Sequence, residues 1–275
     1  MSRRNPEEAR RLRDRHEPGN RYDDAMSGAI RAVTFDLWDT VVVDDSDEAI
    51  RAERGLPTKV DARIDALHAS LEQQAPCDRA AVVEADAQVG ETFRRAWHDE
   101  HVTWTVLERL SRILTALDRT LPDSDVLRVI RAWEEMEMRC PPVLVPGAAE
   151  ALTECADRWS LAIVSDAVVS PGRCLRRILH DHGVAGAFQT FAFSDEVGRS
   201  KPHRAMFDAV AAALDVPLDH MAHVGDREHT DVRGAQGIGM KAVLFVGSRA
   251  ADRSDTHADA VCEDLRELPA IIQQW

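Results

Sequence analysis

Residues 32–45 read AVTFDLWDTVVVDD. Ala32 to Phe35 is apolar and β-prone, the pattern of a strand covered on both faces. Such a strand belongs to a parallel sheet, where ligands bind at the carboxyl ends of the strands. Asp36 stands at that end. Its plain reading is a turn or helix cap; its functional reading is a carboxylate nucleophile.

Between Asp44 and Val145 the apolar residues fall at helical spacing, as in Ile64, Leu67 and Leu71 and in Leu110, Ile113, Leu114 and Leu117. No run there alternates as a strand would. Leu121-Pro122-Asp123 marks a break, with Asp123 or Ser124 expected to cap the next helix. After Pro146-Gly147 short strands alternate with helices: strands at 160–164, 190–193, 220–224, 241–246 and 258–262, helices at 147–157, 171–182, 202–213, 230–236 and from Asp264. GAQGIG at 234–239 reads as a helix end followed by a turn. Alternation of this kind predicts an α/β fold with a doubly wound, Rossmann-like parallel sheet. The expected organisation is a core of residues 29–44 and 146–275, a helical insertion over 45–145, and an N-terminal arm over 1–28.

The arm is expected to be disordered, because residues 1–25 hold seven Arg and six Asp or Glu with few apolar residues. Asn5-Pro6-Glu7-Glu8 nevertheless has the form of a helix start, and Met26 is an alternative beginning for the folded pattern. The formal net charge of −14 opposes nucleic-acid binding, which needs a surplus of cations to neutralise phosphates. The expected partner is a small molecule. No apolar run reaches the roughly 18 residues of a membrane span, which predicts a soluble protein. Five scattered cysteines without C-x-x-C spacing read as free thiols in a reducing cytoplasm. A monomer or a homodimer is expected.

Chemistry-bearing residues gather where the strands should end. Asp36 follows the first strand, Ser165 the second, Lys201 lies in GRSKPHRAMF, and Asp226 and Asp231 lie in HVGDREHTD. Singly, each has an ordinary role in a loop, a cap or a solvated surface. Together they supply a nucleophile, a hydroxyl donor, a cation to offset developing negative charge, and carboxylates able to hold a hard divalent cation such as magnesium.

The order FDxxxT, VSD, GRSKP, GDREHTD resembles the haloacid dehalogenase-like hydrolases, in the subgroup with a helical cap inserted after the first strand. GMKAV at 239–243 and ADAVCEDLREL at 258–268 resemble the family's closing segments, so the likeness runs over roughly residues 30–265. The resemblance implies Asp36 as nucleophile, Ser165 and Lys201 as catalytic partners, and Thr40, Ser165, Asp166 and Lys201 around the substrate. It also implies Mg²⁺ held by Asp36, the backbone carbonyl of Trp38 and Asp226, with Asp231 as a metal ligand through water or as an orienting partner of Lys201. The cap would close over the site and exclude water.

Trp38 departs from the family's phosphatases, which carry a second Asp there as general acid and base. A positioned acid–base group contributes about 10²–10⁴-fold, so esters with poor leaving groups should react slowly. Asp39 would point the other way in an extended chain and is no stand-in. The acidic run DDSDE at 44–48 is expected to be a solvated hinge.

The favoured function is a magnesium-dependent phosphatase for a small phosphorylated metabolite. A 2-haloacid dehalogenase is the alternative that Trp38 suits, since halide leaves unprotonated and an aromatic stands there in such enzymes. A phosphonoacetaldehyde hydrolase-like use of Lys59 as a Schiff base is a third, although Lys59 is expected on the surface of a helix. A catalytically weakened binding module is the fourth. The insertion carries 13 basic and 21 acidic residues over 44–145, which opposes long polyanions across the cap. His68, His98 and His101 are expected at or near the surface, and Trp97, Trp104 and Trp133 in the core or at the cap interface.

Overall fold

The computed structural model describes residues 29–275. The expected N-terminal arm, with its Asn5-Pro6 helix start and Met26, lies outside the described residues.

Strand β1, Ala32–Phe35, is buried at every position. It lies at the centre of a six-stranded sheet ordered β3-β2-β1-β4-β5-β6, with β2 Ser160–Ser165, β3 Thr190–Phe193, β4 Met221–Gly225, β5 Lys241–Phe245 and β6 Ala260–Cys262. Every pairing is parallel; Phe35 lies between Ile163 of β2 and Val224 of β4. Val33 and Phe35 join one apolar cluster and Ala32 another, so the strand is buried on both sides of the pleat. Each face is covered by helices, as the sequence pattern requires.

Between β1 and the rest of the core come α1 Ser46–Glu53, α2 Lys59–Glu72, α3 Arg79–His98, α4 Val106–Ala116, α5 Asp123–Glu134 and the short α6 Met136–Arg139. These helices bury their own cluster, including Ile64, Leu67, Leu71, Leu110, Ile113 and Trp133. Thr58 and Asp78 cap α2 and α3, and Thr105 with Glu108 forms a reciprocal capping box on α4. The expected cap of α5 is corrected. Pro122 holds the N-cap position, with φ of −58°, and Asp123 is already the first helical residue. Asp123 and Asp125 then favour the helix by charge near its N-terminus. The chain leaves and re-enters the core along one ribbon, where the Val43 and Val145 N–H groups donate to the Val143 and Val41 carbonyls.

The core continues with α7 Ala148–Ala156, α8 Gly172–Asp181, α9 Ser194–Val197, α10 Ala205–Leu214, α11 Arg233–Gln236 and α12 Leu268–Ile272. Helices α7, α8 and α12 pack on the Val33 face, and α10 and α11 on the Ala32 face. The helix expected at 230–236 is in fact a wide π-type turn, Glu228–Val232, followed by α11. This turn brings Asp231 back against the end of β4. Gly225 permits the approach, because a Cβ there would lie 2.3 Å from Asp231 Cγ.

Candidate active site

Asp36 leaves β1 at the point where the sheet order reverses between β1 and β4, the usual crevice of a doubly wound sheet. Its N–H donates to the Val224 carbonyl at 2.8 Å, which fixes the backbone to β4. Beyond it the chain turns: the N–H groups of Val41 and Val42 both donate to the Leu37 carbonyl. Asp39 therefore is not extended; its φ is 54°. Its carboxylate accepts from the Asp44 N–H at 3.1 Å, so it is no stand-in for the missing acid, for a different reason than an extended chain would supply.

Lys201 is the hub. Its Nζ lies 2.7 Å from Asp36 Oδ1 and 2.6 Å from Asp231 Oδ1. Its own N–H donates to Asp166 Oδ1 at 3.0 Å. The lysine is only 4 % exposed, and burial opposes its charge, but Asp231, Asp36 and Asp166 outweigh that and hold it protonated well above the usual range. Burial likewise opposes the Asp231 charge, yet the Lys201 cation and the bonds from His223 and Lys201 hold that carboxyl well below normal. Asp36 ends up raised: burial dominates, the Lys201 charge works against it, and repulsion from Asp231 adds to it.

His223 is a residue that sequence reasoning missed. It is fully buried in β4, with Nδ1 2.8 Å from Thr34 Oγ1 and Nε2 3.3 Å from Asp231 Oδ1. Burial lowers its pKa and keeps the ring neutral. The tautomer that satisfies both contacts accepts at Nδ1 from the Thr34 hydroxyl and donates from Nε2–H to Asp231. The available signal was a histidine inside the apolar run ahead of Gly225-Asp226.

Asp226 is 1 % exposed, and neither carboxylate oxygen has a hydrogen-bond partner among the described residues. Arg227 and Arg249 approach its Oδ2 only to 3.7 Å. Burial first, then Asp36 and Asp231, push its carboxyl up to about 8. An orphaned buried carboxylate is costly, and buried charges are normally paired or bind a metal. Oxygens of Asp36, Asp226 and Asp231 lie within 4.8 Å of one another, the group of acids among the described residues that is close enough to share an ion. This all-oxygen set fits a hard divalent cation such as Mg²⁺.

Above these groups opens a cavity of about 810 Å³. Asp36, Trp38, Asp166 and Lys201 line it. Ser165, Thr40, Asp226 and Asp231 are buried and lie outside its lining. The Ser165 hydroxyl is within 3.5 Å of the Asp166 carbonyl, and the Thr40 hydroxyl has no hydrogen-bond partner among the described residues. Both side-chain oxygens of Asp166 are engaged, one by Lys201 and the other by Trp97 Nε1 at 3.0 Å. Trp38 forms part of the wall, and its Nε1 donates to the Asp166 carbonyl at 3.2 Å.

The insertion supplies the facing wall. Trp97 and His98, expected at an interface and at the surface, both line the cavity. Trp97 and His101 offer their carbonyls to Ser200, beside Lys201. Two expectations are overturned here. Lys59 is not a surface lysine: its side chain is 13 % exposed and ringed by Asp45 at 2.9 Å, Asp47 at 3.0 Å and Glu137 at 3.1 Å. The 44–48 run is not simply a solvated hinge, because Asp47 is fully buried against that lysine. These partners come from two segments, 45–47 and the helix holding Glu137, which no local pattern joins to Lys59. Burial disfavours the Lys59 charge, but the carboxylates outweigh it and raise its pKa above the usual range. A Schiff-base lysine requires the reverse, an amine readily deprotonated.

The chain matches the family model of haloacid dehalogenase-like hydrolases over residues 30–239. It belongs to that family. As a haloacid dehalogenase-like hydrolase it is 27 % identical to the 5-amino-6-(5-phospho-D-ribitylamino)uracil phosphatase of Escherichia coli, over 78 % of this chain and 83 % of that protein. Its fold is similar to a 2-haloacid dehalogenase from Pseudomonas syringae, with a TM-score of 0.66, 22 % identity, and coverage of 90 % of this chain and 99 % of the other. It is also similar to a Bacillus subtilis hydrolase of the family solved with magnesium, with a TM-score of 0.56, 19 % identity, and coverage of 89 % and 99 %. Dehalogenases and phosphatases share this fold, so the chemistry has to be argued from the acids.

Proposed function

We propose that the protein is a magnesium-dependent phosphatase that hydrolyses a small phosphorylated metabolite through an aspartyl-phosphate on Asp36. The observation that carries this reading is Asp226, a buried carboxylate with no hydrogen-bond partner among the described residues, beside Asp36 and Asp231. Halide displacement has no use for such a group. The phosphatase from Escherichia coli, matched over most of both chains, supports the same side.

Lys201 holds Asp36 Oδ1, which leaves the other carboxylate oxygen to attack phosphorus as the bond to the leaving oxygen breaks. Water then attacks the phosphorus of the aspartyl-phosphate, releasing phosphate and restoring the carboxylate. Thr34 and His223 act through Asp231: they position it, and it positions Lys201. Asp36, Asp226, Asp231 and the Trp38 carbonyl would hold Mg²⁺, which when bound offsets the negative charge of the phosphoryl group. Ser165 and Thr40 support the phosphoryl-binding end, and Asp166 braces the Lys201 backbone against Trp97. Residues 45–145 act as the cap that encloses the substrate over a core of 29–44 and 146–275.

The Trp38 indole lines the cavity but offers no titrating proton. Activated aryl esters, whose leaving oxygen needs no proton, are therefore the preferred test substrates. Turnover of 4-nitrophenyl phosphate that requires Mg²⁺ and is abolished in Asp36→Asn is the expected result. Trp38 favours one second reading, dehalogenation. Halide release from 2-haloacids in EDTA, with no phosphate release in Mg²⁺, would replace the phosphatase by that reading.

A further inference from the structure

The end of the cavity built by the insertion has a charge pattern of its own. Asp45, Glu48, Lys59, Arg63 and Glu137 line it, and Asp47 lies buried behind. Three carboxylates surround the single Lys59 ammonium, and Glu48 accepts from the Lys59 N–H at 2.8 Å. Glu137 is 7 % exposed; its Oε1 meets Lys59, while its Oε2 is buried without a hydrogen-bond partner among the described residues. Asp47 Oδ2 is in the same condition. Arg63 and the buried Arg51 lessen the negative excess without cancelling it, since with Lys59 they stand against five carboxylates, Asp44, Asp45, Asp47, Glu48 and Glu137, and Arg63 Nε has no hydrogen-bond partner among the described residues. Asp44 feels the crowding too: burial and then the Asp45 charge push its carboxyl up to about 6. Buried carboxylate oxygens are ordinarily satisfied, and here the natural complement is a cation.

We propose that this end of the cavity recognises a protonated amine on the substrate, with Glu137 as its principal acceptor. The substrate class is then a phosphomonoester bearing a basic nitrogen, its phosphoryl group at Asp36 and its ammonium at Glu137. The assignment of substrate class rests on the phosphatase reading; the charge preference of the cavity end does not.

The test uses alkyl phosphates of increasing chain length that end in an ammonium, a hydroxyl or a carboxylate. At the best length the ammonium ester should exceed the hydroxyl ester in kcat/KM by about tenfold, as for a hydrogen bond to a charged group. The carboxylate ester should fall below both. Glu137→Gln should erase the ammonium advantage, bringing the ammonium and hydroxyl esters to equal kcat/KM. Asp45→Asn, on the exposed side of Lys59, repeats the test should Glu137→Gln not fold. Equal rates for ammonium and hydroxyl esters would overturn the proposal. So would a preference for the carboxylate ester, which would assign this end to Arg63. Calorimetric binding of the same esters to Asp36→Asn separates the two readings. An ammonium preference of about tenfold there upholds the subsite even without turnover, and its absence overturns the subsite even when aryl phosphate is hydrolysed.

Discussion

Replacing Asp226 by Asn removes a charge that the metal-free protein holds at a cost. The carboxyl is raised from 3.8 to about 8 by burial and by the neighbouring Asp36 and Asp231. A group raised in this way favours folding fully below its unfolded value, and that advantage is lost as pH rises through the folded value. The wild-type protein in EDTA should therefore lose stability between about pH 4 and pH 8. The span is about four pH units, and at ~1.4 kcal/mol each the ceiling is about 6 kcal/mol above pH 8. Part of that stays, because the amide is itself a buried polar group in need of partners. A gain of about 2 kcal/mol for Asp226→Asn near pH 9 is the expected outcome, or roughly 5 °C in Tm for a chain of this size. Thermal melts of both proteins in EDTA, near pH 5 and near pH 9, measure it; the variant's advantage should widen with pH. Mg²⁺ should raise the Tm of the wild type and leave the variant unmoved. A variant that melts below the wild type in EDTA near pH 9, or that responds equally to Mg²⁺, refutes the reasoning that this carboxylate waits for a cation.

Trp38→Asp should restore a proton donor at the cavity wall and raise kcat/KM on alkyl phosphates by about tenfold relative to 4-nitrophenyl phosphate, short of the range for an evolved acid. An unchanged ratio of the two substrates in steady-state assays would show that protonation of the leaving group is not what Trp38 withholds. Lys59→Met strands the buried Asp47 and Glu137, and breaking a pair of this kind costs about 3 kcal/mol or more. Urea unfolding reads the loss, and a change below about 1 kcal/mol would mean that the carboxylates find other partners.

Much of the fold was legible because its signals are local. The apolar strand before Asp36, the switch to short strands after Gly147 and the helical spacing between them each report on neighbours in the chain. The errors lie where neighbours do not decide. Asp123 fell inside its helix because Pro122 took the capping position. Residues 228–232 form a π-type turn that sets Asp231 against Gly225, a contact no helical spacing reports. Lys59 looked like any helix lysine until Asp45, Asp47 and Glu137 closed around it from other segments. His223 carried a faint signal, a histidine within an apolar strand, but its role came only with Thr34 and Asp231 on either side.

Taken alone, the order of residues determined the kind of sheet, the place of the helical insertion and which polar groups stand at strand ends. Those follow from periodicity and from the rule that parallel strands present their carboxyl ends together. Tertiary structure alone decided that Lys201 bridges Asp36 and Asp231. It also decided that Asp226 has no hydrogen-bond partner among the described residues and that the insertion turns an acidic wall toward the cavity. Charge interactions depend on distance and burial, and separation along a sequence encodes neither.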